Sequence, residues 1–329
     1  MKILKDYFVD KLSPILTSPQ FKNYDLVLVG GIVRDYLLSN KIGDDCDVEL
    51  ISLDPEINVS QATNNFWNTL NQLKINFEVL PYHITKFRLI NINVGVSIGR
   101  IENFFEGQNH HKNFEPQYLL NQKYHLKWKR RDLTINAMGI ELSGLKSPAK
   151  EGLLIDPFYG SNDLKNKLLV PCGDDFYRDP VRLLRLIRFK FLFDFNYSEK
   201  IEFKKFNLQN VSLFYLLKEG EKIGLSHFIH ELNRLIDEHK IESNDYIDHL
   251  RLKNSSEKFG TFNHLIYLAV KNSDKSFLNF IQNKGLFSRK NLKKLSLYFK
   301  AADLDEKKIL LEDIKKIGSD FYSWASYDS

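Results

Sequence analysis

The chain has 329 residues, with 47 Lys+Arg against 42 Asp+Glu, 43% hydrophobic and 13% aromatic residues. That length exceeds one ordinary domain and suits two or three compact units, each able to bury a core without a disulfide or structural metal. The composition excludes a disordered tail, a collagen-like fibre and a disulfide-stapled secreted module. The formal excess of +5 admits a nucleic-acid partner only where the positive charge is clustered.

The opening, MKILKDYFVDKLSPIL, carries charges through its apolar positions and lacks a continuous apolar core, so it reads as an amphipathic helix and not a signal peptide. No apolar run approaches the roughly 18 residues needed to cross a bilayer. Cys46 and Cys172 form no CxxC pair and have no ligand-spaced histidines, so neither a zinc site nor a redox motif is expected. A reducing cytoplasm is the expected compartment.

Asp25 to Val29 is a short β-prone run ending on Gly30-Gly31, and IVRDYLL follows with helical spacing. Asp45 to Ile51 alternates like a strand, Asn64 to Leu73 reads as a helix, and strand-like runs recur at Asn76–Leu80, Phe87–Ile92 and Val94–Ile98. This order predicts an α/β or α+β unit over residues 1–142. Gly107 to Glu115 reads as a loop. From Asp179 onward the pattern is helical, with segments at Pro180–Phe193, Phe203–Leu217, Leu225–His239, Phe262–Val270 and Asn291–Ala302. The stretch 143–155 is the expected hinge.

Four segments carry chemistry. Gly30-Gly31, between strand and helix, lets backbone approach a ligand and leaves free N–H groups for phosphate, with Arg34 one turn further on. A tight turn with a surface Arg34–Asp35 pair is the plainer reading, and the G-x-G-x-x-G spacing of dinucleotide sites is absent. Asp45 and Asp47 share one strand face, where a divalent cation would relieve their repulsion. Because Glu49 continues that face, an exposed acidic edge is the alternative. Lys123 to Arg131 (KYHLKWKRR) interleaves charge with Tyr124 and Trp128, which suits phosphate contact plus base stacking, or else a solvated basic face. In Arg178 to Phe189, Asp179 before Pro180 reads as a helix cap. Arg182, Arg185 and Arg188 recur every three residues on one broad face and call for anionic partners.

Taken in order, Gly30-Gly31-x-Val33-Arg34-Asp35, Asp45-x-Asp47, Arg130-Arg131-Asp132-x-Thr134-Ile135-Asn136-Ala137, Asp156-Pro157-x-x-Gly160 and Asp179-Pro180-x-Arg182-x-x-Arg185-x-x-Arg188-Phe189 resemble the motifs of class II tRNA nucleotidyltransferases, the CCA-adding enzymes, whose head bacterial poly(A) polymerases share. Gly99-Arg100-Ile101-Glu102 and the Gly107–Phe114 loop are similar to that family's Pro-Arg-x-Glu and flexible loop. The resemblance covers residues 25–195.

It implies an α+β fold: a DNA-polymerase-β-type nucleotidyltransferase head with a mixed sheet and helices (1–142), then an all-helical neck (143–205), body and tail (206–329). It implies that Asp45 and Asp47 are catalytic and hold two Mg²⁺ ions. By the same resemblance Gly30, Gly31 and Arg34 hold a triphosphate, Arg131, Asp132 and Asn136 contact the nucleotide, and Asp179 and Arg182 read its base, with Arg185 and Arg188 extending the site. A carboxylate accepting from an amino group beside a guanidinium donating to a ring acceptor suits cytosine and adenine but not uracil or guanine.

The implied partners are CTP, ATP and the tRNA 3′ end, with no membrane and either a monomer or a homodimer. Arg100, His110, Lys112, Lys127, Lys129, Arg289, Lys290 and Lys293 are the expected RNA contacts, and Lys284–Lys300 reads equally as a solvated face. Arg178 stands in place of a usual acid, Gly99 of a proline, and Gly95 where an acid is common. His227, His230 and His239 lack the acids that would complete a metal set. CCA addition is the leading expectation. CC-only addition, A-only addition, poly(A) synthesis and an inactive RNA-binding relative are the alternatives, and the Gly107–Phe114 loop favours retained A addition.

Overall fold

The structure is a computed structural model and describes residues 1–105, 114–142, 154–244 and 247–248. The described residues divide into two compact units. One takes the chain up to Arg178 together with Phe193–Ile201, and the other takes Asp179–Leu192 and the chain from Glu202 onward.

In the first unit, helix α1 (Lys2–Leu16) buries Leu4, Phe8, Leu12 and Ile15, the i, i+4 stripe that its sequence predicts. Strand β1 (Tyr24–Val29) is buried along its whole length, which makes it central. Gly30 follows with φ +78°, a conformation that favours glycine, and opens helix α2 (Gly31–Ser39), which closes on left-handed Asn40. Strand β2 (Asp45–Ser52) leads to α3 (Val59–Gln72), which starts from a reciprocal capping box between Asn58 and Gln61.

Strands β3 (Phe77–Leu80), β4 (Ile84–Leu89) and β5 (Ile92–Ile98) come next. They join a six-stranded mixed sheet in the order β3-β4-β5-β2-β1-β8, with β8 at Gly139–Glu141. Among the described strands of this sheet, β2 and β5 pair in parallel and the other neighbours antiparallel. The strand expected at Phe87–Ile92 is thus divided. Ile90, at φ +51°, makes the turn between β4 and β5, and an isoleucine carries no turn signal.

Strands β6 (Arg100–Phe104) and β7 (Phe114–Tyr118) form a separate antiparallel ribbon. Helix α4 (Tyr124–Lys127) precedes the Arg130–Ala137 segment. Residues 154–178 pack with this unit, since Ile155 bridges to Gly139 and Pro171 to Leu133. They carry α5 (Gly160–Lys165) and β9 (Leu168–Leu169), which pairs with β10 (Asn196–Tyr197).

The described part of the second unit is helical: α6 (Val181–Phe193, whose last residue packs with the first unit), α7 (Leu213–Gly220) and α8 (Leu225–His239). The helix expected over Phe203–Leu217 is shorter. Asn207 accepts from the Gln209 amide at 2.9 Å, and Ser212 caps α7 through the Phe214 amide at 3.1 Å, so side chains compete for the intervening backbone. The helices expected at Phe262–Val270 and Asn291–Ala302 lie outside the described residues. No described helix is long and apolar enough to cross a membrane.

Candidate active site

The Gly30 turn is enclosed by residues more than a hundred positions away. A Cβ on Gly30 would lie 3.1 Å from the Arg131 guanidinium, so glycine both sets the φ and admits the arginine. Arg131 donates to the Asn136 carbonyl at 3.2 Å. The Asn136 side chain is the hub: its Oδ1 accepts from Arg34, and its Nδ2 donates to Asp132 Oδ1 at 2.9 Å. Arg34 also pairs with Asp35 at 2.8 Å and lies 4.7 Å from the Phe193 ring centre. The structure therefore brings Gly30, Gly31, Arg34, Arg131, Asp132 and Asn136 together. Asp132 is buried, and its Oδ1 also accepts from the Leu133 amide at 2.8 Å.

Asp45 and Asp47 are exposed on one face of β2, with Cys46 buried on the other. Asp45 accepts from Asn93 at 2.9 Å. Asp47 stands in register with Gly95, and a Cβ there would come within 2.9 Å of its Oδ1. Gly95 thus clears room for the carboxylate. Desolvation by the crowded protein around it raises the Asp47 pKa, Arg131 and then Lys86 pull it down, and Asp45 pushes it up. Lys86, absent from the motif reading, is therefore part of this environment. Its signal is cross-strand, because on β4 it pairs with Gly95 of β5.

Among the described residues no group of three or more His, Cys, Asp or Glu is arranged for a metal. Two neighbouring carboxylates with cleared space still fit Mg²⁺, which commonly takes one or two protein carboxylates and completes its shell with phosphate oxygens and water.

Several expectations are corrected. Glu49 is fully buried rather than part of an exposed acidic edge, and it forms an ion pair with fully buried Lys127. Trp128 is also fully buried and donates to Glu49 Oε2 at 3.1 Å, so it is core and does not stack on bases. Lys127 is consequently not an RNA contact. Gly99 permits this pair, since a Cβ there would meet the Lys127 stem at 2.4 Å and Glu49 Oε1 at 2.7 Å. Arg100 is not presented outward either. It bonds Glu102 at 2.7 Å and packs 5.0 and 5.4 Å from the ring centres of Tyr82 and Phe114.

Burial, then Arg100 and Arg131, push the Arg130 pKa down to about 9, while Glu102 and Glu49 act against them. Lys129 is exposed. His110, Lys112, Arg289, Lys290 and Lys293 lie outside the described residues.

In the second unit Asp179 caps α6, with Oδ1 accepting from the Val181 amide at 3.0 Å, while Oδ2 lies 3.8 Å from Arg182. Burial and then the nearby Asp179 raise the Tyr215 phenol, a neighbour that no motif signalled. Arg185 lies 5.8 Å from the Phe189 ring centre. Arg188 pairs with Glu219 at 3.0 Å and lies 4.3 Å from the same ring centre. His227 and His239 pack on Phe191 and Phe203.

A mixed sheet with this glycine turn, arginine–asparagine hub and paired aspartates resembles a nucleotidyltransferase head. Residues 26–170 match the Poly A polymerase head domain family. In these residues the chain carries a head of that type, and the resemblance to class II tRNA nucleotidyltransferases holds. A CCA-adding enzyme of Bacillus licheniformis is 29% identical over 199 residues, 59% of this chain and 44% of that protein. A multifunctional CCA protein of Legionella pneumophila is 39% identical over 102 residues, 31% of this chain and 21% of its own length. The chain thus spans less than half the length of these curated relatives. The crystal structure of Bacillus stearothermophilus CCA-adding enzyme in complex with CTP superposes with a TM-score of 0.52 at 18% identity, covering 97% of this chain and 80% of that one, which places the fold.

Proposed function

We propose that the protein adds C and A to the 3′ end of tRNA without a nucleic-acid template, using CTP and ATP with two Mg²⁺ ions and releasing pyrophosphate. The observation that carries this is the convergence of Gly30-Gly31, Arg34, Arg131 and Asn136 in the unit whose β2 presents Asp45 and Asp47. The relatives named as CCA-adding enzymes support it. Residues 143–205 act as neck and 206–329 as RNA-binding body and tail, in the cytoplasm.

Ions held by Asp45 and Asp47 would supply charge neutralisation at the attacking and departing oxygens. The chain's own groups do the positioning. The Gly30 N–H is taken by the Met138 carbonyl at 3.1 Å, so the Gly31 backbone N–H and the Arg131 guanidinium bind triphosphate oxygens, and Arg34, held by Asn136, fixes their frame. The RNA 3′-oxygen bonds to the α-phosphorus as the bond to the pyrophosphate oxygen breaks. Asp179 and Arg182 choose the base, accepting from an amino group and donating to a ring nitrogen.

The test is incubation of purified protein with tRNA lacking its terminal triplet, Mg²⁺, and CTP or ATP separately and together, with products resolved at single-nucleotide resolution. Addition of CCA is expected. A ladder of many A residues would replace the reading with poly(A) synthesis, and addition of C or A alone would restrict it. The double substitution Asp45→Ala/Asp47→Ala is expected to lower extension by at least about 10³-fold with unchanged circular dichroism, since it removes the site's charge stabilisation. Retained extension would refute the metal assignment.

A further inference from the structure

The open face of the sheet carries more than the aspartate pair. Asp47 stands in register with Gly95 and Gly95 with Lys86, while Asp45 stands in register with Asn93 and Asn93 with Arg88. In-register partners share a face. Two parallel rows therefore run from an aspartate on β2, across a small residue on β5, to a cation on β4. At about 4.8 Å between strands, each cation is rooted roughly 10 Å from its aspartate.

Asp45, Asp47, Lys86 and Arg88 are all exposed, whereas Cys46, Val94, Thr85 and Phe87 beneath them are buried. Among the described residues neither Lys86 nor Arg88 forms a salt bridge; the nearest competitor is Glu78, in register with Lys86 on β3.

The direction of the chemistry gives these cations a role. In an in-line displacement the attacking oxygen and the leaving group stand on opposite sides of the phosphorus. The Gly30 turn and Arg131 lie on the β1 side of β2, and the strand order β4-β5-β2-β1 puts Lys86 and Arg88 on the other side. If pyrophosphate leaves toward β1, the acceptor strand arrives from β4, bringing a negative charge with every nucleotide. The rows hold no aromatic ring, so they suit backbone phosphate and not a base.

We propose that Lys86 and Arg88 form a docking strip for the backbone phosphates of the RNA 3′ strand as it enters the Asp45/Asp47 site. This rests on the nucleotidyl-transfer reading.

The test compares Lys86→Ala/Arg88→Ala and Lys86→Gln/Arg88→Gln with the parent, both being exposed-face changes, in tRNA binding against salt and in ATP binding with Mg²⁺. Expected are tRNA affinity lower by about tenfold and a salt slope shallower by about 1.4 (two contacts at roughly 0.7 each), with ATP affinity unchanged in Arg88→Ala alone, a change outside the Asp47 environment. Glu78→Gln, which removes a negative charge in register with Lys86, should move tRNA affinity the other way. Unchanged tRNA affinity and slope in a folded variant would overturn the strip. So would weaker ATP with intact tRNA binding, which would make these cations a triphosphate subsite. A parent that binds single-stranded RNA but extends nothing would defeat the transfer reading alone, and loss of that binding in the variants would still support the strip.

Discussion

A lysine with no exposed surface must find its counter-charge inside the protein, and Lys127 finds Glu49. Burial lowers its pKa while Glu49 raises it, so the desolvation penalty is met mainly by one carboxylate and the Tyr124 ring 4.9 Å away. Lys127→Met should therefore leave a buried, unpaired carboxylate and cost about 3–5 kcal/mol, whereas Glu49→Gln/Lys127→Met should recover most of that. Urea denaturation of these two variants and of Glu49→Gln measures it, and a double-variant loss equal to the sum of the two single losses would show that the pair is not coupled. None of this was legible in KYHLKWKRR. A buried lysine and a solvated one look alike in sequence, and the residue that decides between them stands on β2, far up the chain. The glycine turn was legible, because a strand-to-helix turn is a local backbone need; Arg34 and Asn136 were expected at the nucleotide only through the motif resemblance, and their hydrogen bond across 102 positions was not legible. Gly95 and Gly99 read as departures until the structure showed the carboxylates they leave room for.

Helices α6 and α8 are joined by a charge cluster at the buried Glu231. Lys190 donates to it at 2.7 Å, and Arg234 at 2.7 and 3.0 Å. Burial alone would raise its pKa, but the hydrogen bonds from Arg234 and Lys190 outweigh burial and bring it down to about 2. A carboxyl with a depressed folded pKa gives stability that is full above its unfolded value and lost as pH falls through the folded one. The window therefore runs from about pH 4.5 down to about 2. The Tm difference between the parent and Glu231→Gln should shrink across that interval; a constant difference would show that this carboxyl does not titrate there. The helix itself was legible from periodicity, with both ends where the sequence put them. The β6–β7 ribbon and three-residue β8 were not, because strand partners come from distant sequence and pairing order has no local signature.

Across the whole chain, a net charge of +5 hides how the charges are distributed. Carboxylates at Asp45 and Asp47 and cations at Lys86 and Arg88 share one face of the head, whereas Arg289, Lys290 and Lys293 belong to a stretch that reads equally as a solvated face or as an RNA backbone contact. The two readings separate by counterion release. A solvated face contributes nothing to the salt dependence of binding, whereas each phosphate neutralised in a duplex stem contributes about 0.9 to the slope of log affinity against log salt. Arg289→Ala/Lys290→Ala/Lys293→Ala should make the tRNA slope shallower by about 2.7 if all three engage the acceptor stem, with ATP affinity unchanged. Lys129→Ala, at an exposed position in the head, should change it by about 0.9 under the same conditions. Fluorescence anisotropy across a potassium chloride series measures both. A triple variant with the parent slope would assign those cations to solvent and leave RNA recognition to the head and the remaining helices.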